Sequence, residues 1–241
     1  MNSSEQEFGL KDDWDSVQKT LEEIIPVYDR TNRYISLGTD LKLRRIGIEV
    51  LNAEFGNQNF SLLDLGCGTG TMTRLFLEGT PRRAQVTLVD PIRKMMRTAT
   101  KRVDSNGVLA VYEFLPFRQG NIDAAMAGFS LRDARDLNSA MKEIRRLLRM
   151  NGKFLIVDLS KPDSRVKREM ISIYWSAIAP LIAFLTSGRL GLKFGALSKT
   201  YKRLPTISEF FSVAERAGFK ISKSEFRMLG GAAIILLTKA E

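Results

Sequence analysis

No histidine occurs among the 241 residues, so a histidine general base, a histidine metal ligand and a Ser-His-Asp triad are all excluded. Cysteine is nearly as scarce. Cys67 stands alone, which rules out an intramolecular disulfide and a multi-cysteine zinc site and fits a reducing compartment. No metal is expected. Met1 to Asp13 lacks an apolar run behind a basic leader, which predicts a polar N-terminal tail instead of a signal peptide and makes the cytoplasm the expected location. Internal repeats and low-complexity tracts are also missing.

What is present describes an ordinary folded protein. With 44% hydrophobic and 27% charged residues the chain can build a sizeable core, and its length suits one α/β domain. The formal charge of +10 favours polyanions, either nucleic acid or an anionic membrane face, without choosing between them.

Hydrophobic periodicity predicts helices over Trp14 to Val27 and Leu41 to Phe55, with Gly56 as a stop and a polar lid or loop over Tyr28 to Thr39. From Phe60 a different rhythm begins. Ser61-Leu62-Leu63-Asp64-Leu65 predicts a buried strand, Gly66-Cys67-Gly68-Thr69-Gly70 a glycine turn, and the following residues a helix through Phe76. A second strand, Gln85 to Val89, closes on Asp90, with a helix from Pro91 to Val103. Strands are then predicted over Ile122 to Phe129 and Phe154 to Leu159, around a helix from Leu137 to Met150. A helix at Ile207 to Ala217 and strands at Phe219 to Phe226 and Ala232 to Thr238 complete the chain. This alternation is that of parallel βαβ units, closed by an antiparallel hairpin. Met170 to Ser187, eighteen residues without a formal charge, touches the lower limit for crossing a bilayer. Pro180 interrupts it and Ser172, Ser176 and Thr186 dilute it, so a buried or cap helix is expected.

Glycines at the end of a strand let backbone approach a ligand where a Cβ would collide, and the next helix offers free N–H groups. The third glycine, Gly70, comes one residue too early for the dinucleotide fingerprint, and no Lys-Ser/Thr follows for a phosphate-binding Walker loop. Asp64-Leu65-Gly66-Cys67-Gly68-Thr69-Gly70 resembles instead the first motif of class I S-adenosylmethionine methyltransferases. That resemblance implies that the glycine turn cradles the methionine and ribose of the cofactor. It further implies that Asp90, next to Pro91, takes both ribose hydroxyls. Two carboxylate oxygens suit two vicinal donors. Val111-Tyr112 stand where related enzymes place a polar residue for adenine, which implies a backbone or apolar adenine contact.

Three further segments narrow the resemblance. Tyr28-Asp29-Arg30-Thr31-Asn32 with Ser36-Leu37-Gly38, Phe129-Ser130-Leu131-Arg132-Asp133, and the stretch from Arg146 through Lys161-Pro162 are similar to the ubiquinone/menaquinone biosynthesis C-methyltransferases of the UbiE and MenG family. Asp133 and Asp158 replace that family's Asn and Glu, and Ser130, Met150 and Asn151 replace Gly, Pro and Gly. The resemblance implies a three-layer αβα Rossmann-like α/β fold, with a mostly parallel seven-stranded sheet and an antiparallel C-terminal strand. Residues 14–241 would form one methyltransferase domain, with N-terminal helices and lid over 14–56 and a substrate cap over 163–206.

Expected cofactor contacts are Asp64, Gly66, Cys67, Gly68, Thr69, Gly70, Asp90, Pro91, Val111, Tyr112 and Phe129, with no chemistry for Cys67 itself. Arg132 is the expected catalytic group, stabilising a ring phenolate, with Asp133 orienting it and Tyr28 placing the acceptor. The partner implied is a lipophilic, demethylmenaquinol-like quinol, with peripheral membrane contact; nucleic acid is disfavoured, and a second copy of the chain is an alternative use of the apolar segment. Three other activities stay open: RNA methylation, small-molecule O- or N-methylation, and S-adenosylmethionine binding without catalysis.

Overall fold

A seven-stranded sheet runs in the order β3-β2-β1-β4-β5-β7-β6 in a computed structural model that describes residues 8–80 and 84–240. Its strands are β1 (Phe60–Leu65), β2 (Ala84–Val89), β3 (Asn106–Val108), β4 (Ile122–Gly128), β5 (Leu148–Leu159), β6 (Phe219–Arg227) and β7 (Ala232–Lys239). β1 to β5 pair in parallel, and β7 is antiparallel to both β5 and β6. The strand order reverses beside β1, and α/β folds bind ligands at such a switch point.

Helices cover both faces. α1 (Trp14–Ile24), α2 (Tyr28–Ile35) and α3 (Thr39–Phe55) precede the sheet; α4 (Thr71–Gly79), α5 (Arg93–Arg102) and α6 (Leu137–Leu147) link its strands. After β5 come α7 (Arg165–Ile173), α8 (Ala179–Ser187), α9 (Arg189–Leu192), α10 (Ala196–Arg203) and α11 (Ile207–Arg216). On one face Leu43, Leu51 and Phe55 of α3 and Met72, Leu75 and Phe76 of α4 meet Leu62, Met126, Leu155 and Ile234. On the other, Met141 and Ile144 of α6 and Val213 and Ala214 of α11 meet Leu63, Ala125, Phe154 and Ile235. Alternation along buried strands sends successive side chains to opposite layers, which is why the strands read as unbroken apolar runs.

Several elements depart from expectation. Tyr28 to Thr39 is mostly helix: Thr31 and Ile35, one turn apart, are buried, and only this pair of inward positions carries the pattern in an otherwise polar segment. Of the polar tail expected over Met1 to Asp13, residues 1–7 lie outside the described residues, and from residue 8 the chain packs on the domain. Phe8 and Leu10 are buried, and Leu10 N donates to Ala134 O at 2.9 Å while Leu137 N donates to Phe8 O at 2.9 Å. α6 stops at Leu147 and β5 starts at Leu148, six residues before the expected Phe154, because Asn151 at φ 61° turns the chain into register with β4. The helix expected from Pro91 begins at Arg93.

The apolar segment forms one helical run from Arg165 to Ser187, widened into a π turn over Tyr174–Ile178 just before Pro180. It is not a buried helix. Only 17% of its most apolar window is buried, with a mean hydropathy of 1.6, and by length and composition it could cross a membrane. Ala179 and Ala183 are its inward anchors, in a cluster with Leu10, Val17, Ile24 and Ile35.

Gly47 lets α3 lie close on β5, since a Cβ there would fall 2.5 Å from Val157 Cγ2. Gly47→Leu should therefore lower the Tm by roughly 5 °C or more, corresponding to about 2 kcal/mol of overpacking. Gly79→Ala, where no atom lies within 4 Å of a Cβ, should leave the Tm unchanged or raise it; thermal denaturation of both variants is the check.

Candidate active site

β1 ends in a turn whose backbone only glycine adopts easily. Gly66, Gly68 and Gly70 all have positive φ, and a Cβ on Gly66 would come 2.6 Å from Ser130 Cβ and 2.9 Å from the Tyr112 hydroxyl. The turn is tied at both ends. Asp64 Oδ2 accepts from Thr73 Oγ1 at 2.6 Å and Thr73 N at 3.2 Å, in the first turn of α4. Asp90 Oδ2 accepts from Gly68 N at 2.8 Å, and its Oδ1 from Ile92 N at 2.8 Å. Each Asp90 oxygen keeps a further acceptor direction, so two vicinal hydroxyls fit there.

Around this turn lies a cavity of about 180 Å³. Gly66, Cys67, Gly68, Thr69, Asp90, Pro91, Val111, Tyr112, Phe129, Tyr28 and Asp133 all line it. Asp64 and Gly70 shape the turn from behind: Asp64 is wholly buried, and Gly70 makes room for Ala99 of α5, whose Cα would sit 3.2 Å from a Cβ. The Tyr112 hydroxyl is taken up by Leu65 O and Ser130 Oγ, each at 2.8 Å. Its end of the cavity therefore presents ring and alkyl surface with Ile92, Met95 and Val111. Burial pushes the Cys67 thiol well up, so it stays a thiol and no nucleophile.

α2 is clamped over the turn. Thr69 Oγ1 donates to Asp29 Oδ1 at 2.7 Å, Arg102 pairs with Asp29, and behind α2 Thr31 Oγ1 and Ser187 Oγ lie 2.5 Å apart. Asp29 and Asn32 thus join the site through a helix whose inward pattern is too short to read from sequence.

A second, mainly apolar cavity of about 380 Å³ adjoins the first. Tyr28, Asn32, Asp40, Arg44 and Phe129 line both. Leu37, Leu43, Met170, Ile171, Tyr174, Trp175 and Leu229 form much of the rest. Arg132 lines this second cavity and not the first. Its side chain, 5% exposed, donates through Nη1 to Asp158 Oδ1 at 2.6 Å, while its backbone N donates to Asp158 Oδ2 at 3.2 Å. Asp133 stands 3.9 Å from Arg132 Nε without a hydrogen bond. The orienting role expected of Asp133 therefore falls to Asp158, because the end of β5 lies directly under the short turn that carries Arg132.

Charges in the site are buried with few partners. Burial pushes Asp64, Asp90 and Asp133 each up to about 6. Burial also works against the Arg132 charge, but Asp158 and Asp133 outweigh it and hold the guanidinium above its ordinary value. Arg132 Nε, Asp133 Oδ1 and Arg44 Nε are buried without a hydrogen-bond partner. Such orphans are costly and point to groups the protein itself does not supply. Among the described residues no cluster of three or more Cys, Asp or Glu is placed to hold a metal ion.

The ubiE/COQ5 methyltransferase family matches residues 8–239. A "Ubiquinone/menaquinone biosynthesis C-methyltransferase UbiE" of Geotalea uraniireducens is 26% identical over 95% of this chain and 97% of its own length. A "Demethylmenaquinone methyltransferase" of Chlamydia pneumoniae is 30% identical over 92% of this chain and 95% of its own. Among solved structures, a Thermotoga maritima protein described as a SAM-dependent methyltransferase superposes with a TM-score of 0.62 at 18% identity, covering 92% of this chain and 99% of that one. A geranyl diphosphate C-methyltransferase from Streptomyces coelicolor, in complex with S-adenosyl-L-homocysteine, does so at 0.59 and 12%, covering 80% and 78%. At those identities the two structures speak for the fold, the mostly parallel Rossmann-like sheet with its antiparallel C-terminal strand. The match in sequence covers nearly the whole chain, including the glycine turn and the Arg132 segment, and so this protein is a methyltransferase that belongs to the ubiE/COQ5 methyltransferase family.

Proposed function

We propose that the chain transfers the methyl group of S-adenosylmethionine to a ring carbon of a prenylated quinol, demethylmenaquinol-like in chemistry. The observation that carries this reading is the pairing of cavities. A polar one around the glycine turn shares a wall with a larger apolar one, and Arg132 stands at the latter's polar end. A flat aromatic ring with an isoprenoid tail needs such a greasy chamber with few polar contacts. The names of the relatives, a ubiquinone/menaquinone biosynthesis C-methyltransferase and a demethylmenaquinone methyltransferase, agree with it.

S-adenosylmethionine supplies an already activated methyl, so little is asked of the protein beyond alignment, worth on the order of 7 kcal/mol in a good case. Tyr28 and Phe129, in the common wall, set the acceptor against the opening between the cavities. Arg132 stays protonated and serves as a donor to the ring oxygen through its free Nε; it is no base. Asp133, with a value near 6 and an unpartnered Oδ1, has the pKa suited to accept the phenolic proton, directly or through a water.

The exposed apolar side of the helical run from α7 through the π turn to α8, with Met170, Ile173, Ile178, Leu181 and Leu185, gives such a substrate a route from the bilayer. We place this side on the membrane surface, with Arg165, Lys167 and Arg168 beside anionic headgroups.

Three outcomes are expected. In single-turnover transfer of labelled methyl to demethylmenaquinol, label appears on a ring carbon. Arg132→Ala slows the step by about 100-fold or more, the scale of losing one oxyanion donor, with S-adenosylhomocysteine affinity intact by calorimetry; label on oxygen, or on no quinol at all, sinks the acceptor assignment.

A second outcome concerns pH. Raised carboxylate values mean that the empty site favours the protonated forms: the stability these groups contribute is present at low pH and lost as pH rises through about 6. A cationic cofactor favours the ionised forms, so the Tm increase given by S-adenosylmethionine should shrink as pH is lowered from 7.5 to 5.5.

Finally, the protein should sediment with anionic lipid vesicles, and the double variant Leu181→Glu/Leu185→Glu should not. Equal sedimentation of both, or dimerisation abolished by the same change, would move this face to another role.

A further inference from the structure

Among the described residues, six that are not glycine have left-handed backbone: Lys11, Leu37, Phe129, Asn151, Met228 and Leu229. Four of these, Leu37, Phe129, Met228 and Leu229, line the apolar cavity. A Cβ makes that conformation costly, and such strain is kept where a ligand site uses it. Phe129 belongs to the wall shared with the glycine-turn cavity; the other three line the apolar cavity alone.

Each of the three stands where local chemistry favours a different residue. Leu37, at φ 53°, follows the last turn of α2, its N donating to Tyr34 O at 3.0 Å while Gly38 N donates to Arg33 O at 2.7 Å. Glycine or asparagine is usual at such a helix end. Met228 and Leu229, at φ 54° and 58°, make the turn between β6 and β7, where Asn-Gly suits the backbone and long apolar side chains do not. Leu37 is 66% exposed and Leu229 59%, so burial within the chain does not offset the strain.

The two turns meet at one mouth. Thr39 Oγ1 donates to Met228 Sδ at 3.6 Å, which joins the corner between α2 and α3 to the β6–β7 turn, and the exposed Met170 of α7 continues the same lining. Behind this rim the cavity holds about 380 Å³, near the lower end of ligand-sized pockets, roughly 300–1,000 Å³. It has room for a ring and the start of a tail. The rest of an isoprenoid chain leaves over the apolar rim.

Resting on the prenylated-quinol reading, we infer that Leu37 and Leu229, with Met228, grip the isoprenoid tail of the acceptor at the cavity mouth and make the enzyme prefer tailed acceptors to bare rings. Apolar side chains stay on strained backbone there because the tail covers them in the complex.

The test is methyl transfer by the full-length protein, without vesicles, to the bare 1,4-naphthalenediol ring and to the same ring carrying a geranyl tail. Wild type should show a kcat/KM for the tailed acceptor at least about 10-fold higher, the scale of burying a few methylenes. Leu37→Gly/Leu229→Gly should lose most of that preference and keep the bare ring within about 2-fold, with a Tm unchanged or raised because glycine relieves the strain. Leu37→Met/Leu229→Met, which keeps the apolar surface, should retain the preference. Leu37→Asn/Leu229→Asn, also suited to left-handed backbone, gives the same readout should the glycine pair not fold. Equal loss on both acceptors would make the turns mere supports of the cavity, and a preference that survives the glycine and asparagine pairs would leave them to the bilayer. A wild type indifferent to the tail would leave them without a ligand, and each of these results overturns the inference. Should wild type methylate neither ring, the quinol reading itself falls, a different failure.

Discussion

The junction between β1 and α4 is the constraint on which the rest of the site depends. Asp64 at the end of the strand holds the amide and hydroxyl of Thr73, and that grip sets where the helix begins. Between these two residues the chain must turn back through three glycines at positive φ. The N–H groups it exposes, and the space above them, exist because the buried carboxylate fixes both sides of the turn. Asp90 repeats the device from β2 by holding Gly68, so two neighbouring strands share one loop.

Around that junction the molecule spends charge sparingly and in the dark. Three carboxylates with values near 6 and two arginines lie in low-dielectric surroundings, where each unmatched polar atom is costly and each matched one is worth more than in water. Their imbalance is informative. Arg132 is held by Asp158 yet keeps a buried, unpartnered Nε, whereas Arg44 has one hydrogen bond, to Gly128 O. A polar atom that the protein leaves unmatched is one that a ligand can satisfy.

The second constraint is apolar. The helical run from α7 to α8 leaves much of its surface exposed while Met170, Ile171, Tyr174 and Trp175 from its first half wall a greasy cavity, and α2 lies between this run and the glycine turn, bonded to Ser187 on one side and Thr69 on the other.

The order of strands and helices, the glycine turn, Asp90 and the family were legible from sequence by itself, because local spacing records strand burial and because a tight βα turn has few chemical solutions. The roles around Arg132 were only half legible. Asp133 is adjacent in sequence, but Asp158, 26 positions later, is the residue that the neighbouring strand brings within 2.6 Å. β3, three residues long, is too short for any periodicity to register. α2 is polar on most sides and reveals its helix only once Thr31 and Ile35 have something to pack against. Arg44 looks, in sequence, like one of many basic residues on an amphipathic helix. Only the sheet beneath α3, and the missing side chain at Gly128, turn it inward. Local chemistry, then, was written in the order of residues, while the choice of which charges meet and which are left waiting was made by tertiary structure, since long-range pairing depends on distances that no local pattern encodes.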